Sequence, residues 1–504
     1  MKKITNLFLL LTVVLIVGAC TPFTPQERMQ PHGMNGDKDG NTPSEYMQGM
    51  GGMGGMPGRM NHHGANPALQ DSSGKNELQI PPILEKDQKD GQDVYYTIEA
   101  KEGETEIFPG KTTKTLGYNG DFLGPVIRLQ KGETAHFTLK NKLNEETTFH
   151  WHGLVIDGEQ DGGPHEVLEA GEERKISFDV SQEEATLWFH PHPLGKTAKQ
   201  VYEGLAGLIY IEEEDDFFEY GENDIPLIFQ DRLFTEDGQL DYLYSQHPDG
   251  TVGNTLLING TINPKLTVNR EKVRLRLLNG SNKRDYTFKL SNGASFTQIA
   301  SDGGRLVEPL EVTELKLTPA ERAEIIVDFS AFEENEEVAL QDEDGVTLLP
   351  FVLKGEKDER SLAKFFEQDS FEITEEEKQM EPTKEIVLSG HGHHVSINGK
   401  KYDPERIDFT QKLGETEVWE VYNKPDMMGG MLHPFHIHGT QFKVISINGE
   451  APPKHLQGYK DTIDLNPGDR AKIAVTFDKP GVFMFHCHIL EHEENGMMGQ
   501  ILVE

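Results

Sequence analysis

Lys131–Asn141 reads KGETAHFTLKN: a turn, then apolar residues at every second position, then asparagine. Alternation with period two puts one set of side chains on one face, as in a half-buried β-strand. The pattern returns at Asn269–Asn279 (NREKVRLRLLN) and at Leu413–Asn423 (LGETEVWEVYN). A second signature follows each copy: Leu168–Phe178 (LEAGEERKISF), Leu317–Phe329 (LTPAERAEIIVDF) and Leu465–Phe477 (LNPGDRAKIAVTF). Two signatures that recur three times in one order, about 140 residues apart, predict three homologous β-sandwich domains. The chain length of 504 residues agrees, since roughly 150 residues per domain gives about three. The expected divisions are 76–215, 222–355 and 381–504, with acidic linkers at Glu212–Asp224 and Glu356–Met380. Strand-like runs punctuated by Gly, Pro, Asn and Asp fill the chain, so the fold class is all-β.

The start of the chain lies outside these repeats. Lys2 and Lys3 precede an apolar run from Leu7 to Val17, followed by Gly18, Ala19 and Cys20. That order describes a secretory signal peptide, and the run is short for a membrane span of about 20 residues. A cysteine directly after small residues resembles a bacterial lipobox. The resemblance implies that residues 1–19 are removed, that Cys20 is lipidated, and that the protein is exported and anchored on the outer face of the bacterial cytoplasmic membrane. Residues 20–75 are low in complexity and cannot form a packed core. They read as a disordered tether that holds Met29, Met34, Met47, Met50, Met53, Met56 and Met60 along with His32, His62 and His63. Thioether sulfur suits soft metal ions, so the tether is either a metal trap or a plain spacer.

Net charge and cysteine count narrow the chemistry. A formal charge of −37 excludes a nucleic-acid binder, because phosphate would be repelled. The acidity reads as a solubilising surface or as attraction for cationic metal substrates. Cys20 and Cys487 are the only cysteines, so a lipidated Cys20 leaves Cys487 without a disulfide partner. A lone thiol in an exported protein oxidises unless it is buried or bound to metal, which makes Cys487 a candidate metal ligand.

Four histidine clusters carry the chemistry. They are His150-Trp151-His152, His190-Pro191-His192, His433-Pro434-Phe435-His436-Ile437-His438, and His486-Cys487-His488 with His492 following. The first two fall in the first repeat and the last two in the third. In a strand, residues i and i+2 share a face, so each His-x-His aims two imidazoles the same way. Eight such imidazoles exceed the needs of one ion and imply a site with several metals. Imidazole alone suits Cu, Zn, Fe or Ni. Cys487 points opposite to its histidine neighbours, with His492 and Met497 after it in sequence and His433 able to approach. Two His, one Cys and a weak axial Met make a blue-copper electron-transfer site.

These motifs, with WFHPHPLGKTAKQVYEGLAGLIYI (Trp188–Ile211), RLRLLNGSNKRDYTF, IASDGGRLVEP and HCHILEHEENGMM, make the chain from about residue 92 to 504 resemble the three-domain bacterial multicopper oxidases, in the copper-efflux and laccase-like branch. The resemblance implies three cupredoxin-like Greek-key sandwiches and four copper ions. His433, Cys487, His492 and Met497 would hold type 1 copper, and His150 and His436 type 2. His152, His190 and His488 would hold one type 3 copper, and His192, His438 and His486 the other. Electrons from a reducing substrate, Cu(I) or a phenol, would pass through Cys487 and reduce dioxygen to water. Asp161 and Glu493 would relay protons. The cuprous oxidases of the family carry a Met-rich insert over type 1 copper, but residues 330–379 contain no Met. Asp426, Met427, Met428 and Met431 precede His433 and form a candidate Cu(I) substrate site, or else pack around the blue copper. A monomer is the default expectation. The competing function is a copper-storing lipoprotein that works through its Met/His-rich tether with little turnover.

Overall fold

The computed structural model describes residues 67–504 except 213–216, 243–246, 360–361, 363–370 and 428. The signal sequence, Cys20, the tether as far as residue 66 and Met428 therefore lie outside the described residues.

The two signatures of each repeat become hydrogen-bonded neighbours. Thr134–Asn141 pairs in parallel with Asp93–Phe108 and antiparallel with Glu173–Asp179. Lys272–Asn279 does the same with Asp224–Arg232 and Arg322–Asp328. Thr416–Lys424 does so with Lys384–Ser389 and Arg470–Thr476. Parallel neighbours cannot be joined by a hairpin. In each repeat the intervening chain crosses to a second sheet, through Ile127–Gln130, Pro264–Asn269 and Phe409–Gln411 respectively. The result is three two-sheet sandwiches in the cupredoxin manner, each filled by the inward residues of its alternating strands.

The asparagine that closes each first signature has a structural task. Its side-chain amide donates to the carbonyl of the leucine that opens the second signature: Asn141 to Leu168 (2.9 Å), Asn279 to Leu317 (3.0 Å) and Asn423 to Leu465 (2.8 Å). In the first two repeats the amide oxygen accepts a backbone N–H two residues on, at Leu143 and Ser281. In the third repeat it faces His433 Nδ1 at 3.0 Å instead. One latch thus serves the fold twice and orients a histidine once.

The tether expectation over 20–75 needs correction at its end. Leu69 and Leu78 are buried in the core of the second sandwich, and Ser72 Oγ donates to Pro264 O at 2.7 Å. Asn76–Glu77 pairs in parallel with Pro264–Lys265. Residues 69–80 therefore pack with the second sandwich. The reason is local: Leu69, Leu78 and Ile80 supply apolar side chains that the preceding Gly/Met-rich stretch lacks, and Asn76–Glu77 covers an otherwise unpaired sheet edge.

Candidate metal centre

All four histidine clusters converge between the first and third sandwiches. His150 and His190 exchange backbone hydrogen bonds of 2.8 and 3.1 Å. His433–Ile437 pairs antiparallel with Gly481–Cys487, which sets His436 opposite His486 and Phe435 opposite Cys487. Across the domain boundary the rings stack, His150 on His438 (3.8 Å between centroids) and His152 on His436 (3.7 Å). Among the described residues, three all-histidine sets have ligand atoms within 4.8 Å of one another: His192, His438 and His486; His150, His436 and His438; His150, His152 and His190; a fourth joins His152 and His436 with Asp461. The His488 ring lies 5.1 Å from His152 and 5.5 Å from His190. All eight are buried.

Most of these rings are held by one nitrogen. His150 Nδ1 lies 3.0 Å from Asp161 O, His190 Nδ1 2.9 Å from Pro191 O, and His436 Nδ1 2.8 Å from Asp461 O. His152 is held by the other nitrogen, Nε2, 3.0 Å from Asp461 Oδ1. What remains is a set of buried nitrogens without a hydrogen-bond partner among the described residues: Nε2 of His150, His190 and His436, Nδ1 of His152, and both nitrogens of His488. Buried polar atoms left unpaired are costly, and a cluster of them aimed inward fits metal ions. Burial pushes the imidazole pKa of His152, His190, His192, His436, His438 and His488 far below the ordinary value, and that of His486 down to about 3. These seven rings are therefore neutral, which is the form that ligates.

The second constellation lies across the same strand. Cys487 Sγ is 3.7 Å from His492 Nδ1, and the His433 and His492 rings are 5.2 Å apart. Met497 is buried in the same core as Cys487, and its carbonyl accepts the Cys487 N–H at 3.1 Å. His492 rides on the short helix Leu490–Glu494. Burial raises the Cys487 thiol well above its usual range, so the sulfur keeps its proton until a cation displaces it.

The two acids singled out from sequence both reach the histidines. Asp161 Oδ2 accepts from His438 Nδ1 at 2.7 Å and lies 3.4 Å from His150 Nδ1. Glu493 sits between His192 Nδ1 (3.5 Å) and His486 Nδ1 (3.4 Å), and burial pushes its carboxyl far up. Of the substrate-site candidates, Met427 is fully exposed and Met431 packs against the third core. Asp426 Oδ1 accepts the Gly430 N–H, closing the loop, while its Oδ2 is 3.9 Å from His391 Nε2.

Sequence reasoning missed three partners. Asp461 holds His152 and faces His436, and its two oxygens take the Arg322 guanidinium at 2.7 and 2.6 Å. Arg322 also donates to Thr186 O and Asp302 O, so one buried side chain joins all three sandwiches at the cluster. The second sandwich supplies no histidine to the site but fixes it through this fork. Asp249, also from the second sandwich, lies 3.8 Å from His492 Nε2 and 3.9 Å from His391 Nδ1. Neither Asp461 nor Asp249 stands in a motif, and no local signal marks them.

Family models described as multicopper oxidase match residues 99–216, 223–336 and 367–504. The chain belongs to the multicopper oxidases. The multicopper oxidase mco of Staphylococcus epidermidis is 50% identical over 447 residues, covering 88% of this chain and 96% of its own. A laccase from Pediococcus acidilactici superposes with a TM-score of 0.83 at 44% identity, over 88% of this chain and 96% of that one. A multicopper oxidase from Campylobacter jejuni, described as a metallo-oxidase, superposes with a TM-score of 0.75 at 32% identity, over 88% and 99%. This multicopper oxidase is thus an oxidoreductase that uses copper, takes electrons from a reducing substrate and gives them to dioxygen.

Proposed function

We propose that this enzyme holds four copper ions, one of type 1, one of type 2 and two of type 3. His433, Cys487, His492 and Met497 hold the first; His150 and His436 the second; His152, His190 and His488, and His192, His438 and His486, the type 3 pair. The observation that carries this reading is the set of buried imidazoles whose free nitrogens converge while their other nitrogens are pinned. When bound, copper supplies one-electron oxidation of a reductant coupled to four-electron reduction of dioxygen to water. The chain's own residues do the rest. Cys487 is covalently flanked by His486 and His488, which gives the shortest route between the two constellations. Asp161 and Glu493 hold protons beside the histidines and pass them inward. Asp161→Asn is expected to keep the blue absorption and copper content while lowering dioxygen uptake by about 100-fold, in the range of a lost proton donor; unchanged uptake would remove the relay.

The reductant is Cu(I), a phenol, or both. Exposed Met427 and partly buried Met431, with Asp426 and Met428 in the same stretch of sequence before His433, support capture of a soft cation. The absence of Met from 330–379 supports access for bulkier phenols. Relatives named a laccase and a metallo-oxidase are compatible with either donor. The protein is a monomer, exported and tethered by lipidated Cys20 to the outer face of the cytoplasmic membrane. The deciding experiment is dioxygen uptake by copper-loaded soluble protein with chelated Cu(I) or a methoxyphenol as donor, with and without residues 21–75. Faster Cu(I) turnover that is lost with the tether makes it a copper-detoxifying oxidase. Faster phenol turnover indifferent to the tether makes it a surface laccase. Retained copper without uptake from either donor overturns both.

A further inference from the structure

Each dioxygen consumes four protons, yet Asp161 is only 2% exposed. Its Oδ2 is engaged by His438, and its Oδ1 is buried without a hydrogen-bond partner among the described residues. The turn continues Gly162-Gly163-Pro164-His165-Glu166, and the Glu166 N–H donates to Gly163 O at 3.1 Å. This brings the Glu166 side chain back over Gly163. A carbon added at Gly163 would lie 3.5 Å from Glu166 Oε2, 3.6 Å from Asp161 Oδ2 and 3.7 Å from Met484 Cγ. The two carboxyls therefore border the same space over the bare Gly163, beside the apolar wall of Met484, and a water molecule held there would bridge them. Asp161 is buried, whereas Glu166 is half-buried and reaches solvent.

We propose that Glu166 is the solvent-side member of a carboxyl pair that supplies protons to Asp161. The proposal rests on the reading of Asp161 as a relay acid. The transfer balances without an electron: the Glu166 O–H bond breaks toward the bridging water, that water protonates the Asp161 carboxylate, and Glu166 recovers its proton from solvent. The surroundings keep Glu166 charged with a proton near neutral pH. Burial, then the Asp161 charge, pushes its carboxyl up to about 8, with Glu159 adding to the rise. Arg174 opposes the shift, but its guanidinium is spent on the carbonyls of Glu166 and Val167 at 2.9 and 3.1 Å. From the third sandwich Tyr402 faces the same turn, its hydroxyl 3.5 Å from His165 Nε2, and burial holds that phenol protonated. His165 itself is engaged by Gln500 at 2.8 Å.

The test uses Glu166→Gln and Gly163→Ala in the copper-loaded enzyme, with Asp161→Asn beside them. Gly163 is not in the left-handed region and the added methyl meets only ordinary contacts, so Gly163→Ala fits the fold while filling the gap. Both variants should keep copper content, blue absorption and the anaerobic rate of type 1 reduction. Dioxygen uptake at neutral pH should fall by more than about 10-fold and up to about 100-fold. Wild-type uptake should decline as pH rises through about 8, and that limb should vanish in Glu166→Gln. Independently of turnover, infrared difference spectra of copper-free protein should show a protonated carboxyl band that disappears across the same pH interval and is missing in Glu166→Gln. If Glu166→Gln and Gly163→Ala match the wild type in rate and pH profile while Asp161→Asn is slow, Glu166 is not the supplier. If Asp161→Asn is also unimpaired, the relay reading beneath the proposal fails first.

Discussion

Cys487→Ser is expected to give a folded protein that still takes copper at the eight converging histidines, shows no blue absorption, and consumes dioxygen at least about 100-fold more slowly, since even the outer partners of metal ligands are worth about 10- to 100-fold. The fold should survive because the change removes little volume at one buried position of Gly481–Cys487, whose backbone pairing is untouched. The added hydroxyl is buried without an evident partner, at a cost of about 1–3 kcal/mol. The chemistry should not survive, because a hard oxygen replaces the soft sulfur that a blue-copper site requires. Copper content, the visible spectrum and oxygen uptake check this together. Blue colour or wild-type uptake in Cys487→Ser would exclude Cys487 as the ligand at the point of electron entry.

Asp461→Ala should be the most destabilising of the single changes considered. Asp461 is fully buried and accepts from both arms of the Arg322 guanidinium, from Gln441 Nε2 at 2.9 Å and from Thr462 Oγ1 at 2.9 Å, while also holding His152. Its removal leaves a buried arginine with Asp302 as its nearest remaining acid, at 3.6 Å. Breaking a buried pair from one side costs about 3–5 kcal/mol. It also frees the ring that faces His436, so copper at the converging histidines should be lost. The midpoint of denaturant unfolding of copper-free protein and the copper stoichiometry of loaded protein measure the two effects separately. Arg470→Ala is the matched control: Arg470 is 43% exposed and stacks on Tyr422, so at most about 1 kcal/mol should be lost. Equal, small losses in both variants would show that the Arg322–Asp461 fork does not hold the sandwiches together.

The sequence by itself determined the all-β class, the threefold repeat and the identity of the converging residues. Alternation, turn residues and His-x-His spacing are local properties, and the two signatures proved to be adjacent strands in every repeat. The end of the tether was not legible, because the three apolar residues of 69–80 that enter the second core carry no period of their own. Nor were the groups that orient the histidines. Arg322 and Arg470 occupy the same place in the repeated signature, LTPAER and LNPGDR. One is fully buried between three sandwiches, and the other lies at the surface. Asn141, Asn279 and Asn423 make the same latch, yet Asn423 alone meets a histidine. Equivalent residues acquire different roles because burial, and with it the need to pair every charge and polar atom, depends on which surfaces the sandwiches press together, and only the tertiary structure decides that.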